Sequence, residues 1–283
     1  SGIYRHVWLT VTNPLHIDEN GVFITTSLPS KDTANVHLAI SVKNNSPSAS
    51  DANLVTTISD KDGKVIGKTE NEIKIEANGI SSVEQSFKIK SPSLWSVDSP
   101  VLYTAIVQVV SMGKVIDSYP VSLGVRTISF SATEGFLLNG VSMKMKGACI
   151  HHDNGLLGSA TFDRAEERRI EVMKSNGYNA IRPSNNPPSK QFLDACDRLG
   201  MLVIDEAFDM WEHPKNPLDY SFYFKKNWKS DLESMILRDR NHPSVIFWSI
   251  GNEVYERADT SGVRIAKQLV STVKSLDKNR PVT

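Results

Sequence analysis

After residue 127, four short apolar runs alternate with four helical stretches, an order that few folds can accommodate. Residues 143–150 read as a strand. Residues 163–175 follow as a helix, with Asp163 and Glu166 at capping-box spacing and Asn176-Gly177 as its end. A strand at 179–182 precedes a helix opened by Ser189, with Phe192, Cys196 and Leu199 on one face and Gly200 as its stop. The third pair is a strand at 201–204 and a helix over 225–240. The fourth strand, 245–250, is nearly all apolar, as a parallel strand buried on both faces requires. A last helix follows Asp259 to Ser261 and turns Ile265, Leu269, Val273 and Leu276 inward, and residues 280–283 read as the approach to a fifth strand. Four βα units in succession predict an α/β domain with a parallel sheet and right-handed crossovers.

The preceding residues have a different period. Val36, Leu38, Ile40 and Val42 share one parity, as do Val101, Tyr103, Ala105, Val107 and Val109, so one face enters a core and the other stays wet. Turn signals at residues 44–47, 60–63 and 77–79 separate the runs. The expectation is an antiparallel β-sandwich of immunoglobulin type, held by packing alone and serving as a scaffold. Both cysteines, Cys149 and Cys196, lie outside it, lack metal-ligand spacing, and are expected to be buried free thiols. Lys plus Arg equals Asp plus Glu at 32 each, so no basic face for nucleic acid or anionic membrane is implied. No apolar stretch reaches transmembrane length, and the start has no signal-peptide form.

Each strand of the second half is followed by a polar loop: His151-His152-Asp153, Arg182 with Ser184-Asn185-Asn186, Asp205-Glu206, and Asn252-Glu253. In a βα barrel all such loops open on one face and can converge on one ligand. Each has a plainer reading too. His151-His152-Asp153 could be a hydrogen-bonded turn, Arg182 a buried partner of Asp205 or Glu206, and Glu253 a cap for the next helix. Asp205-Glu206 could bind metal, but no third ligand has suitable spacing. Four consecutive polar strand ends favour a site. Glu253, at the lip of an apolar strand beside an amide, suits a general acid aimed at a sugar oxygen.

These segments resemble glycoside hydrolase family 2, the family of β-galactosidases, β-glucuronidases and β-mannosidases. The resemblance is carried by residues 1–9, Leu94-Trp95-Ser96, Gly124-Val125-Arg126, Leu138-Asn139-Gly140, Lys146-Gly147, His151-His152, Asn179-Ala180-Ile181-Arg182, Asn186-Pro187-Pro188-Ser189, Asp205-Glu206-Ala207, and residues 240–244 through Asn252-Glu253. It implies an immunoglobulin-like sandwich over residues 15–127, followed over 128–283 by the first half of a TIM (β/α)8 barrel. Residues 1–14 would then be the last strand and linker of a jelly-roll sugar-binding domain. It also implies Glu253 as acid/base and Asn252 as the partner of the sugar 2-hydroxyl, with Arg182, His152, Asp153 and Asp205 shaping or lining the pocket. Asn185 stands where many relatives have a sugar-touching histidine. Met210 and Glu212 stand where magnesium-dependent β-galactosidases have Glu and His, so no cofactor is expected.

A retaining glycosidase needs two carboxylates about 5–5.5 Å apart. Family members take the second, the nucleophile, from a late barrel strand, which places it outside this chain; Glu206 is the nearest candidate within it. The expectation is therefore part of a retaining exo-β-glycosidase, first a β-galactosidase, alternatively a β-glucuronidase or β-mannosidase, inactive by itself. Its partners would be a glycoside substrate and the rest of the parent protein. A competing reading is a non-catalytic carbohydrate-binding or assembly module. The scarcity of cysteine fits cytoplasm or a bacterial periplasm equally.

Overall fold

The computed structural model describes residues 2–283, Pro29 by its backbone alone. The chain divides into two compact units: Val7–Met143, and Lys144–Thr283 joined by the residues up to His6.

In the first unit, seven strands form two antiparallel sheets: β1 (Leu15–Ser30), β2 (Thr33–Asn44), β3 (Ser50–Ser59), β4 (Val65–Ile75), β5 (Ile80–Lys90), β6 (Tyr103–Ser111) and β7 (Lys114–Leu123). Their orders are β1-β2-β5 and β4-β3-β6-β7, the expected sandwich. Alternation places Val36, Leu38, Ile40 and Val42 in the core with no exposed surface, opposite Ala105, Val107 and Val109 of the other sheet. Val101 precedes β6 and is only partly buried against this core. Three short strands, β8 (Ile128–Ser131), β9 (Gly135–Leu138) and β10 (Val141–Ser142), make a small antiparallel sheet in the same unit. Asn139 ties this sheet back, accepting from Thr127 N at 3.0 Å and donating to Trp95 O at 3.0 Å. Residues 2–14 carry no strand.

The second unit holds the parallel sheet: β11 (Gly147–His151), β12 (Ala180–Ser184), β13 (Leu202–Glu206) and β14 (Val245–Ser249), in sequential order. Helices α1 (Asp163–Ser175), α2 (Lys190–Leu199), α3 (Ser221–Asp239) and α4 (Thr260–Leu276) alternate with them. This is the opening of a βα barrel. Val282 continues the sheet by a parallel bridge to Trp248, so residues 280–283 do lead toward a fifth strand. The core draws on both layers: Ile181, Val203, Val245 and Trp248 from strands, and Ile170, Phe192, Leu193, Leu232, Ile236, Leu269 and Val273 from helices. Ser189 caps α2 by accepting from Phe192 N at 3.1 Å, and Gly200 ends it in the left-handed region at φ 71°.

Three local expectations need correction. The N-cap of α1 is Phe162, and Asp163 already lies inside the helix. Its carboxylate is taken by His6 Nε2 at 2.6 Å, so no capping box forms. Helix α3 begins four residues early, because Phe224 is drawn into an aromatic cluster with Phe208 and Tyr220. Cys196 is buried as expected, but Cys149 is exposed. Its neighbour Ile150 packs on the helix-side core, which turns Cys149 to the opposite face, in register with Arg182.

Candidate active site at the strand ends

The parity of β13 and β14 decides which polar side chains meet. Asp205 pairs in register with Trp248, and Glu206 with Ser249. Trp248 belongs to the helix side, where its indole donates to Asp277 at 2.9 Å. Glu206 and Ser249 therefore face away from the helices, together with Arg182 of β12. Glu206 is fully buried and accepts from Arg182 Nε at 2.8 Å, from Ser249 Oγ at 2.7 Å, and from Arg182 Nη2.

Asp205, placed by the resemblance among the residues that shape or line the pocket, is fully buried. It faces the helix layer beside Asp239 and Arg238 at the end of α3. Its carboxyl stands within hydrogen-bond reach of the Asp239 carboxylate. Burial, reinforced by the Asp239 charge, pushes its carboxyl well above the usual carboxylate range. Period-two alternation prevents two adjacent acids from sharing one face.

Arg182 also donates to Asn252 Oδ1 at 3.1 Å. The other end of that amide, Nδ2, donates to Asp209 Oδ1 at 2.9 Å, and Asn252 N donates to Phe208 O at 3.0 Å. One Nδ2 proton and one Oδ1 lone pair of Asn252 remain for a ligand hydroxyl. Glu253 follows directly, exposed, at φ 46°. Its carboxylate has no hydrogen bond or ion pair among the described residues, so the cap role considered for it is not the one seen; Asp259 caps α4 instead. A non-glycine residue in this left-handed region costs roughly 1 kcal/mol, so its surroundings must hold it there.

An open cleft of about 540 Å³ adjoins this group, lined among others by His152, Asn185, Asp209 and Tyr220. His152 Nε2 lies 3.1 Å from Ser159 O and from Thr161 Oγ1, and its Nδ1 lies 3.4 Å from Arg5 Nη2. Burial, and then the Arg5 guanidinium, keep its pKa below the ordinary histidine value. Asp153 serves its own loop, accepting from Gly155 N at 2.7 Å, the turn role weighed above. The sequence expectations thus bring Arg182 and Asn252 into one network and His152 and Asn185 to one cleft. They miss Arg5, Asp209 and Lys215. Lys215 donates to Asp209 Oδ1 at 2.8 Å and to Asn252 O at 2.7 Å. Asp194, Asp197 and His242 are close enough to suit a metal, but His242 Nδ1 already pairs with Asp197 at 2.6 Å.

A β-sandwich followed by βα units with polar residues gathered at the strand ends defines a barrel-enzyme architecture. The family model "Glycosyl hydrolases family 2, TIM barrel domain" matches residues 131–283, and "Glycosyl hydrolases family 2" matches 15–126. The chain belongs to glycosyl hydrolase family 2. It is similar to a β-galactosidase of Bacteroides ovatus, 40% identical over all of this chain and 37% of that protein. It is also similar to the human β-glucuronidase, 30% identical over all of this chain and 41% of that protein. Among solved structures, a glycosyl hydrolase family 2 member from Bacteroides cellulosilyticus superposes with a TM-score of 0.97 at 50% identity, over the whole chain and 36% of that one. The chain therefore spans well under half the length of these relatives.

Proposed function

We propose that this chain supplies the acid/base half of a retaining exo-β-glycosidase of β-galactosidase type. The observation that carries this reading is the fixing of Asn252 between Arg182 and Asp209 at the lip of β14, with the unpaired Glu253 carboxylate one residue on. Glu253 protonates the leaving oxygen while a second carboxylate attacks the anomeric carbon; Glu253 then takes a proton from the incoming water. The nucleophile comes from outside this chain. Glu206 is unsuited to the part, because its charge is already committed to Arg182 and Ser249 in a site closed to solvent. Asn252 holds the sugar 2-hydroxyl with its spare donor and acceptor, and His152 and Asn185 contact the sugar from the cleft.

No metal takes part in the chemistry on this reading: Met210 is buried, and the Glu212 carboxylate faces Lys225 and Arg264 at 3.5 and 3.4 Å. The galactoside reading rests on the 40% identical relative; the human relative keeps a β-glucuronidase as the second reading. The test is hydrolysis of nitrophenyl β-galactoside, β-glucuronide and β-mannoside by the full-length protein, with the first-formed anomer read by NMR. Preferred cleavage of the galactoside with β-sugar released first is expected. Initial release of α-sugar, or no turnover of any of the three, would overturn the proposal.

A further inference from the structure

Asn252 is gripped at two points by one ion pair, Lys215 with Asp209. The Lys215 ammonium donates to the Asn252 main-chain oxygen at 2.7 Å and to Asp209 Oδ1 at 2.8 Å, and Asp209 Oδ1 receives the Asn252 side-chain amide at 2.9 Å. These three bonds close a ring that fixes both the Asn252 side chain and the Asn252–Glu253 peptide. The next carbonyl is held as well: Arg257 Nη1 donates to Glu253 O at 3.0 Å and Val254 O at 2.8 Å. Glu253 thus has a cation on each flanking peptide oxygen while it sits at φ 46°. Lysine ordinarily keeps its ammonium in water; here the side chain is only 15% exposed and spends two donors on this ring.

The loop that carries Lys215 is itself anchored. Asp219 accepts from Lys215 N at 2.7 Å, Asn216 N at 2.9 Å and Ser221 Oγ at 2.6 Å. Its carboxyl is held down at about 2, first by the Ser221 hydroxyl and then by the backbone amides, so the anchor stays charged at any working pH.

We infer that Lys215 is a positioning residue for the acid/base: through the Asn252–Glu253 peptide it sets where the Glu253 carboxylate stands. The inference rests on the assignment of Glu253 as proton donor. A proton donor moved off its line affects only steps that need the proton. A dinitrophenyl leaving group departs without protonation, whereas an alkoxide does not. In the full-length protein, Lys215→Met is expected to lower kcat/KM for an alkyl β-glycoside about 10²-fold, the scale of an ångström-sized misplacement, and to leave it nearly unchanged for the dinitrophenyl glycoside. Glu253→Ala shows the same selectivity with a larger loss. Lys215→Arg keeps the charge without the compact ammonium, so it gives an intermediate but equally selective loss; it carries the test if Lys215→Met no longer melts cooperatively. Equal losses on both substrates in the Lys215 variants, with Glu253→Ala selective, would overturn the positioning role alone. A Glu253→Ala variant without selectivity would overturn both the role and the acid/base assignment beneath it.

Discussion

Two neighbouring acids on β13 have opposite fates, and the pleat alone separates them. Glu206 pairs with the Arg182 guanidinium; Asp205 meets a second carboxylate, Asp239, instead of a cation. Its folded pKa is raised above the unfolded value of about 3.9. Stability from the buried neutral carboxyl is therefore fully present below that value and is lost as pH rises through the folded pKa. Asp205→Asn keeps the shape and removes the titration. Relative to the parent, the variant is expected to gain stability as pH rises above about 4, read from urea midpoints. A difference that does not change with pH would show that Asp205 is not the titrating group. The sequence displays Asp205-Glu206 as a polar pair at a strand end, but which acid meets the sugar face depends on register, and register is set by strands far away in the chain.

At the scale of elements, the exit of β14 is shaped by one close approach. Trp211 donates to Ile250 O at 2.7 Å, and a Cβ on Gly251 would stand 2.9 Å from that same Trp211 nitrogen and 3.1 Å from Val254 Cγ1. Gly251→Ala is expected to displace Trp211 and lose about 1–3 kcal/mol, seen as a lower melting temperature with altered tryptophan fluorescence. A melting point and spectrum equal to those of the parent would mean that the indole has room to move. Elements with strong local signals were legible in advance. Helix α1 ends before Asn176-Gly177, and α2 opens at Ser189 and closes at Gly200. The capping box was not, since His6 claims Asp163 from 157 residues away. Asp209 and Lys215 were missed for a similar reason. They lie in an irregular loop without periodicity, and their bonds to Asn252 reach across 43 and 37 residues.

Over the whole molecule, the change from period-two alternation to strand–helix alternation was enough to anticipate a sandwich and then a parallel sheet. The family resemblance added what periodicity cannot supply, the chemistry expected at Asn252-Glu253. Neither source showed that Arg5 reaches Pro187 O at 3.0 Å and the His152 ring, because the segment carrying it has no secondary structure to extrapolate. The central claim is that Glu253 is the acid/base. The most direct test is turnover of a dinitrophenyl β-glycoside by the full-length Glu253→Ala variant, with and without azide. Removing the base leaves the glycosyl–enzyme formed but slow to react with water, whereas azide attacks without losing a proton. The predicted result is slow turnover that azide restores, with a β-glycosyl azide as product. Turnover equal to the parent's, or slow turnover that azide leaves unchanged, would contradict it.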